Sequence, residues 1–255
     1  MLARIKPVFE YGIALGVLYF VWWYASVPMA MPKYLLPSPG DTLNALWTMA
    51  LENKLQPHLY YTSQNIILGL LIGSVVGIAL AYLLYRLPRL SAILDGPLVV
   101  FQTAPKIALA PLFVVWFGLG LGSKLILIFS LVFFPVLLGA LAGFRGIDSR
   151  MNDLSKLLEL NIFERFFKID FMAALPGIFV GLKIGAVQAL VGAILAEWIS
   201  GQQGLGFLMT LATATYKTPL LFGAVLLTSL FGIALHVGIT AIEHFALSWK
   251  AQDDQ

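Results

Sequence analysis

The sequence contains no cysteine and few charged residues, since only 11% of its 255 residues are Asp, Glu, Lys or Arg. Without cysteine, a disulfide framework and every cysteine-based metal or redox site are excluded. A soluble domain carries about 25% charged residues. Because 60% of this chain is hydrophobic, a water-soluble globular protein and a disordered chain are both excluded. The mean hydropathy of +0.89 indicates a polytopic membrane protein instead.

The sequence also lacks the motifs of common enzyme sites. It has no His-Glu-x-x-His, Walker A or nucleophile-elbow pattern, and its histidines, His58, His236 and His244, are scattered. About six membrane spans with short loops use the whole length, so no soluble catalytic domain fits beside them. We therefore expect no catalytic residue, metal site or cofactor on this chain. The net charge of +3 fits positive cytoplasmic loops better than a nucleic-acid partner.

Long hydrophobic runs are what the sequence has instead, and they predict an all-α fold with six transmembrane helices. The first run follows Arg4 and Lys6, and this order of charged and apolar residues is also typical of a secretory signal peptide. More apolar runs follow it, and Trp22 and Trp23 are typical of a membrane interface, so we expect a retained first span. The runs lie at about residues 11–27, 65–85, 91–117, 123–144, 176–198 and 220–247.

Lysine and arginine in the loops predict the orientation. If both termini face the cytoplasm, ten of these residues lie in cytoplasmic stretches and four outside, as the positive-inside rule requires. The cytoplasmic set is Arg4, Lys6, Arg86, Arg89, Arg145, Arg150, Lys156, Arg165, Lys168 and Lys250. The outside set is Lys33, Lys54, Lys124 and Lys217.

A cytoplasmic loop at about residues 145–175 combines many charges with an unusual number of aromatic side chains. Asn161 and Glu164 have the spacing of a capping box, which predicts a short helix over about 162–168. Another short helix is expected over about 152–158, with a bend between the two. Apolar side chains on such a loop need to be covered by the membrane surface, the bundle or a partner protein. Helical spacing places Phe163, Phe166 and Phe167 on one face.

The motifs of this loop carry a family resemblance. Asp153-Leu154-Ser155, followed by Leu175-Pro176, resembles the EAA loop of binding-protein-dependent ABC importer permeases. Alignment on Leu175-Pro176 places Asp153 at the glutamate of that motif, and Leu154 and Ser155 at its two alanines. Glu159 takes the place of the glycine, and Asn161 falls at a frequent serine position.

Other segments extend the resemblance over most of the chain, from Leu36 to Tyr216. They are similar to the nitrate, sulfonate and taurine branch of the family. The segments are Leu36–Pro39, Pro105–Leu112, Trp116–Gly118, Ala196–Trp198 and Gly204–Gly206.

The resemblance implies a type I (MetI-like) permease, with residues 1–255 forming a single transmembrane domain in the bacterial inner membrane. Such a subunit moves a small solute into the cell, here a sulfonate-, nitrate- or taurine-like anion or a heteroaromatic vitamin or pyrimidine precursor. The implied partners are a second permease copy, two cytoplasmic ATPase subunits that bind ATP and magnesium, an extracytoplasmic solute-binding protein and membrane lipid.

The loop also departs from the family pattern, because only acidity and small size remain of the EAA triplet. A glycine turns freely, whereas a glutamate at position 159 does not. We therefore expect the bend to move to Asn161. By the resemblance, the residues that couple to the ATPase are Asp153, Leu154, Ser155, Glu159, Asn161, Phe163, Glu164, Phe166 and Phe167.

Polar residues inside the apolar runs are candidates for the translocation path. Lys106 lies between Pro105 and Pro111, and Pro105 can open the helix there. Lys106 forms a polar patch with Gln102 and Thr103, and it either attracts an anionic solute or pairs with Glu197 as a structural lock. Further candidates for the path or its gate are Gln188 and Glu197.

A transporter or channel that needs no ATPase is the alternative function. It would be favoured by inverted internal repeats or by several carboxylates at mid-membrane depth, and the sequence has neither. A membrane-embedded enzyme would need clustered His, Asp and Glu residues. Co-purification with an ATPase separates the importer from both alternatives.

Overall fold

The computed structural model describes the backbone of residues 2–248 and the side chains of residues 13–151 and 153–248. Lys250, which the orientation argument uses, lies outside this range. The described chain is all-helical, as predicted. Its α-helices are α1 (Leu2–Ser26), α2 (Pro39–Leu51), α3 (Leu55–Arg86), α4 (Pro88–Thr103), α5 (Ala110–Phe117), α6 (Leu121–Arg145), α7 (Ser149–Leu157), α8 (Ile162–Arg165), α9 (Phe171–Ser200), α10 (Leu205–Ala214) and α11 (Thr218–Ala246), with a π-helix at Phe166–Asp170 between α8 and α9.

Four helical stretches of the described chain are long and apolar enough to cross a membrane. They are α3, α6, the continuous stretch Ile162–Ser200 that contains α9, and α11. A shorter apolar stretch, Ile13–Ser26, lies in α1. The remaining predicted span, at 91–117, is broken into α4 and α5. Membrane crossing is therefore supported for four of the six predicted spans by length and composition.

Glycines bring the central helices together. α6 packs against α3 on one side and α9 on the other. A Cβ atom on Gly73 of α3 would lie 2.6 Å from the side chain of Val132. A Cβ atom on Gly139 of α6 would lie 2.7 Å from the carbonyl oxygen of Gly177 and from the backbone of Gly181 in α9. Small residues permit this close approach of helix backbones.

Pro105 breaks the third apolar run, as its sequence position predicts. α4 ends at Thr103, and Ala104 has an extended ψ of 137°, which is the backbone preference of a residue that precedes proline. Turns then follow until α5 begins at Ala110. Lys106 therefore lies in a non-helical stretch of residues 104–109.

Caps fix the bend between α7 and α8, and one expectation about this bend is wrong. α7 begins after Asp148, whose side chain accepts a hydrogen bond from the amide of Arg150. The predicted capping box of Asn161 and Glu164 is present at the start of α8. The turn itself is made at Glu159, which has a φ of +49°, and not at Asn161. Asn161 has a φ of −70° because capping a helix needs an extended backbone.

The sequence did not predict α10 as a helix. It begins after Gly204, whose φ of +112° is costly for any residue with a side chain. α10 packs against α9 and α11. The Gly204-Leu205-Gly206 motif is thus the turn that starts a helix packed between two long ones.

Candidate functional site

Apolar side chains project outward where α7 turns into α8. Phe163 is 77% exposed and Phe167 is 62% exposed. These side chains form a patch that we call the outward apolar surface. Its members are Leu157, Leu158, Ile162, Phe163 and Phe167.

Phe166 does not share this surface, which corrects the expectation of a common face for the three phenylalanines. Its ring lies 4.6 Å from that of Tyr82 in an edge-on contact, and it packs with Phe171 at 5.6 Å. The reason is the π-helix that begins at Phe166. A π-helix makes wider turns than an α-helix, so positions 163, 166 and 167 no longer lie on one stripe.

The EAA-like triplet faces two ways. Asp153 is exposed and pairs with Lys156 at 3.7 Å. Leu154 is also exposed, whereas Ser155 is buried. The hydroxyl of Ser155 accepts a hydrogen bond of 3.2 Å from Arg165 Nη1. Ser155 therefore ties α7 to α8, and its two neighbours remain available to a partner.

A fully buried carboxylate, Asp170, lies beneath the outward apolar surface. Arg165 Nε donates to Asp170 Oδ1 at 3.3 Å and to Oδ2 at 3.1 Å. The hydroxyl of Tyr82 donates to Oδ2 at 3.2 Å, and Arg86 Nη1 lies 3.8 Å from the same oxygen. We call Tyr82, Arg86, Arg165 and Asp170 the Asp170 cluster.

Sequence reasoning missed the Asp170 cluster. The sequence signal was weak, because Asp170 is one of two acidic residues in an aromatic-rich segment and nothing distinguishes it from Glu164. Its partners Tyr82 and Arg86 come from a different helix, α3. Residue spacing predicts which side chains meet on one helix. A pairing between residues of two different helices therefore leaves no recognisable pattern in the sequence.

Three of the predicted path residues meet in one cavity of about 450 Å³. Gln102, Lys106 and Gln188 all line it, together with Phe134. Thr103 is not part of its wall, because its hydroxyl bonds back to the carbonyls of Val99 and Val100. The cavity lies between α4, α6 and α9.

The Lys106 ammonium gives this cavity its positive charge. Lys106 Nζ donates to the backbone carbonyl of Gln102 at 2.7 Å and lies 4.7 Å from the centre of the Phe134 ring. The broken helix supplies that carbonyl group, since α4 ends one residue later. The cavity therefore offers a cation, two amide side chains and an aromatic ring to a bound molecule.

Glu197 lies elsewhere, and the proposed lock with Lys106 does not form among the described residues. Glu197 is fully buried. Its carboxylate accepts hydrogen bonds from Thr62 Oγ1 at 3.0 Å, Asn65 Nδ2 at 3.1 Å and the amide of Gly206 at 2.9 Å. These donors hold α3 and the start of α10 to α9, whereas Lys106 contacts Gln102 and Phe134.

Lys124 corrects one count in the orientation argument. It belongs to α6 and is 2% exposed, so it is not an outside loop residue. Its ammonium donates to the hydroxyl of Tyr61 at 2.6 Å and interacts electrostatically with Glu197.

The described residues contain no group of three or more His, Asp or Glu side chains that could hold a metal ion.

Residues 69–245 match the model of the family described as binding-protein-dependent transport system inner membrane component. A probable ABC transporter permease protein of Haemophilus influenzae is 34% identical over 94% of this chain and 96% of its own length.

Two further relatives carry more specific names. The formylaminopyrimidine transport permease protein ThiX of Halalkalibacterium halodurans is 30% identical over 90% of this chain and 92% of its own length. The putative aliphatic sulfonates transport permease protein SsuC of Bacillus subtilis is 26% identical over 92% and 85%. These are permeases and not enzymes, and ATPase and solute-binding proteins are the general partners of such permeases. The chain belongs to the binding-protein-dependent family of ABC importer permeases, as a multi-pass subunit of the inner membrane.

Proposed function

We propose that this permease subunit receives the ATPase at the outward apolar surface and passes a small organic solute along the Lys106 cavity. The exposure of Phe163 and Phe167 carries the first part. Large exposed aromatic side chains are typical anchors of a protein interface. The capping box holds α8 in place beside them, so the surface is ordered before any partner binds. We call α7 and α8 the coupling helices.

The proposed assembly has two copies of this chain, two ATPase subunits and one extracytoplasmic solute-binding protein. Residues 1–255 act as one transmembrane domain, and ATP and magnesium bind to the ATPase. One copy of the bundle would form only half of the translocation path, so a second copy must pack against it. The exposed apolar side chains of α4 and α5 support such a contact. They include Val99, Val100, Phe101, Val115, Trp116 and Phe117.

In the proposed topology six spans leave both termini in the cytoplasm. α1 and the broken pair α4 and α5 complete the four long spans. The chain has no cysteine, so single cysteines report accessibility without background. Cysteine at exposed Lys54 should react with an impermeant reagent from outside, and cysteine at exposed Arg150 should not. The opposite labelling pattern would reject this topology.

The proposed solute is planar and heteroaromatic. The Phe134 ring offers a stacking face, and Gln102 and Gln188 can bond ring substituents. The name of the formylaminopyrimidine permease supports this class. A small organic anion is the second candidate, because the Lys106 ammonium favours it and another relative is named for aliphatic sulfonates.

Docking is tested by the double change Phe163→Ala and Phe167→Ala. Truncation of buried aromatic anchors costs about 2 kcal/mol or more, so the ATPase should no longer co-purify. Phe245→Ala is the matched control, because Phe245 is equally exposed but lies at the end of α11. Retention of the ATPase with normal transport in the double variant would remove the outward apolar surface as the docking site.

The path is tested by Lys106→Met in reconstituted complexes supplied with a pyrimidine and, separately, with an aliphatic sulfonate. If the charge contacts the solute, uptake of the transported compound should fall while the complex still assembles. Lys33→Met is the control, because Lys33 is exposed and pairs with Asp41 outside the cavity. Unchanged uptake in Lys106→Met would show that the path does not run along this cavity. If the unaltered complex takes up the sulfonate and not the pyrimidine, the small organic anion is the transported class.

A further inference from the structure

Asp170 lies where α7, α8 and the start of α9 meet. It lies at the end of the π-helix that leads from the coupling helices into α9. Arg165 of α8 bonds it, and Arg165 also bonds Ser155 of α7. One carboxylate thus gathers both coupling helices into one unit with the start of α9.

The same carboxylate also reaches α3, which does not adjoin the coupling helices in sequence. Tyr82 donates to Asp170 Oδ2 at 3.2 Å, and Arg86, one turn later, lies 3.8 Å from that oxygen. The Tyr85 hydroxyl accepts from Arg165 Nη2 at 3.5 Å. Phe166 packs edge-on against Tyr82. The last turn of α3 is therefore bound to the coupling helices by charges, hydrogen bonds and ring packing.

α3 extends from this junction to the opposite end of the bundle. Its first turns carry Thr62 and Asn65, which bond Glu197. Thr62 also accepts a hydrogen bond from the amide of Leu205 at 2.8 Å, at the start of α10. α3 is one uninterrupted helix, so a displacement applied at its last turn reaches the α10 turn with little loss.

We propose that Asp170 is the positioning residue that makes α3 part of the moving unit, so that ATPase-driven motion of the coupling helices reaches the far end of the bundle through α3. This inference rests on the proposed docking of the ATPase at the outward apolar surface. Without the polar contacts of Asp170, the coupling helices would act on the bundle through their covalent links to α6 and α9 and through the remaining contacts with α3, such as the Tyr85–Arg165 hydrogen bond and the packing of Phe166.

Burial of Asp170 strengthens the link that the Asp170 cluster makes between the coupling helices and α3. A charge pair on the surface contributes little because water competes for it and salt screens it. Asp170 is fully buried, and breaking such a pair leaves an uncompensated charge in a low-dielectric interior. The coupling helices and α3 therefore move together, because separating them would leave a buried charge uncompensated, which is unfavourable in free energy.

The test uses the full complex of permease, ATPase and binding protein in proteoliposomes, with ATP hydrolysis and solute uptake measured together. Asp170→Asn keeps the shape and removes the charge. Uptake per ATP hydrolysed should fall about 2- to 30-fold, the range by which changes along a coupling route alter it. Hydrolysis and co-purification of the ATPase should persist, and Asp170→Glu should restore part of the ratio.

A second variant protects the test against loss of folding. Tyr82→Phe with Arg86→Gln removes the polar contacts from α3 to Asp170. It leaves Arg165 paired with Asp170 and hydrogen-bonded to Tyr85, so the ratio should fall here too, because the carboxylate no longer holds α3. Glu243→Gln is the matched control. It breaks an ion pair between Lys183 of α9 and Glu243 of α11 that does not involve the coupling helices, and it should leave the ratio unchanged.

Three outcomes would overturn the inference. They are an unchanged ratio in the Tyr82→Phe/Arg86→Gln variant, a lowered thermal stability with a normal ratio in Asp170→Asn, and an equal fall of the ratio in the Glu243→Gln control. Failure of the docking proposal is a separate result, because it shows as ATPase retained by the Phe163→Ala/Phe167→Ala variant.

Discussion

Two fully buried carboxylates, Asp170 and Glu197, contact opposite ends of α3, and the two are held in different ways. Asp170 is bonded by Arg165 and approached by Arg86, with one neutral donor, Tyr82. Among the described residues, Glu197 accepts hydrogen bonds from neutral groups alone, namely a hydroxyl, a side-chain amide and a backbone amide, and the Lys124 ammonium acts on it without a hydrogen bond. The α3 residues that contact Glu197 and those that contact Asp170 are separated by about 20 residues, which is about 30 Å along the helix axis.

This difference shows what each carboxylate can tolerate. Two guanidinium groups balance Asp170, so losing one neutral donor leaves its charge compensated. Glu197 depends on several uncharged donors, which lie on α3 and at the start of α10. The amide of Gly206 and the hydroxyl of Thr62 connect it to the start of α10. We infer that Glu197 fixes a turn, whereas Asp170 joins moving segments.

The largest expected effect is that of Glu197→Ala. Three buried donors would lose their acceptor at once, and an unsatisfied buried donor costs about 1–3 kcal/mol. We expect the variant to fail to assemble or to unfold at a much lower temperature in detergent. Glu52→Ala is the control: Glu52 is exposed, and its pKa is lowered by its hydrogen bond with Lys54 and the nearby charge. Wild-type unfolding of Glu197→Ala would contradict this account.

Thr62→Val should have an intermediate effect. It keeps the shape of the side chain, but it removes a donor to Glu197 and the acceptor of the Leu205 amide. We expect a loss of about 1–3 kcal/mol in unfolding free energy. Thr48→Val is a suitable control, since the Thr48 hydroxyl bonds only a carbonyl of its own helix. Equal stabilities of the two variants would show that the Thr62 bridge contributes nothing.

Tyr82→Phe should have the smallest effect on stability. The ring stays packed against Phe166, and both guanidinium groups still face Asp170. A net loss of about 1 kcal/mol or less is expected for one hydrogen bond, measured by the same thermal unfolding. A larger loss than that of Thr62→Val would reverse the comparison between the two carboxylates.

Local signals in the sequence predicted much of this molecule. The apolar runs located the long helices, and Pro105 located the break between α4 and α5. The Asn161–Glu164 capping box formed as expected. Each of these features depends on residues within a few positions of one another, so spacing alone is informative.

Features that depend on distant residues could not be predicted. Lys124 was counted as a loop cation because nothing near it in sequence reveals Tyr61 as its partner. The Asp170 cluster was missed for the same reason. The bend at Glu159 was placed wrongly because the capping demand on Asn161 outweighed its tolerance of unusual backbone angles. The packing of two helices decided the first two outcomes, and local helix capping decided the third.

The break at residues 104–109 has a consequence for hydration. Hydrocarbon offers no hydrogen bonds, so non-helical backbone at membrane depth is tolerated only against protein or beside water. Pro105 and Ile107 are exposed on this stretch, and the carbonyl of Gln102 already receives a side chain rather than a backbone amide. In the proposed six-span topology, this stretch must therefore lie against protein or beside water next to Lys106, and lipid tails must be kept from that side of the molecule.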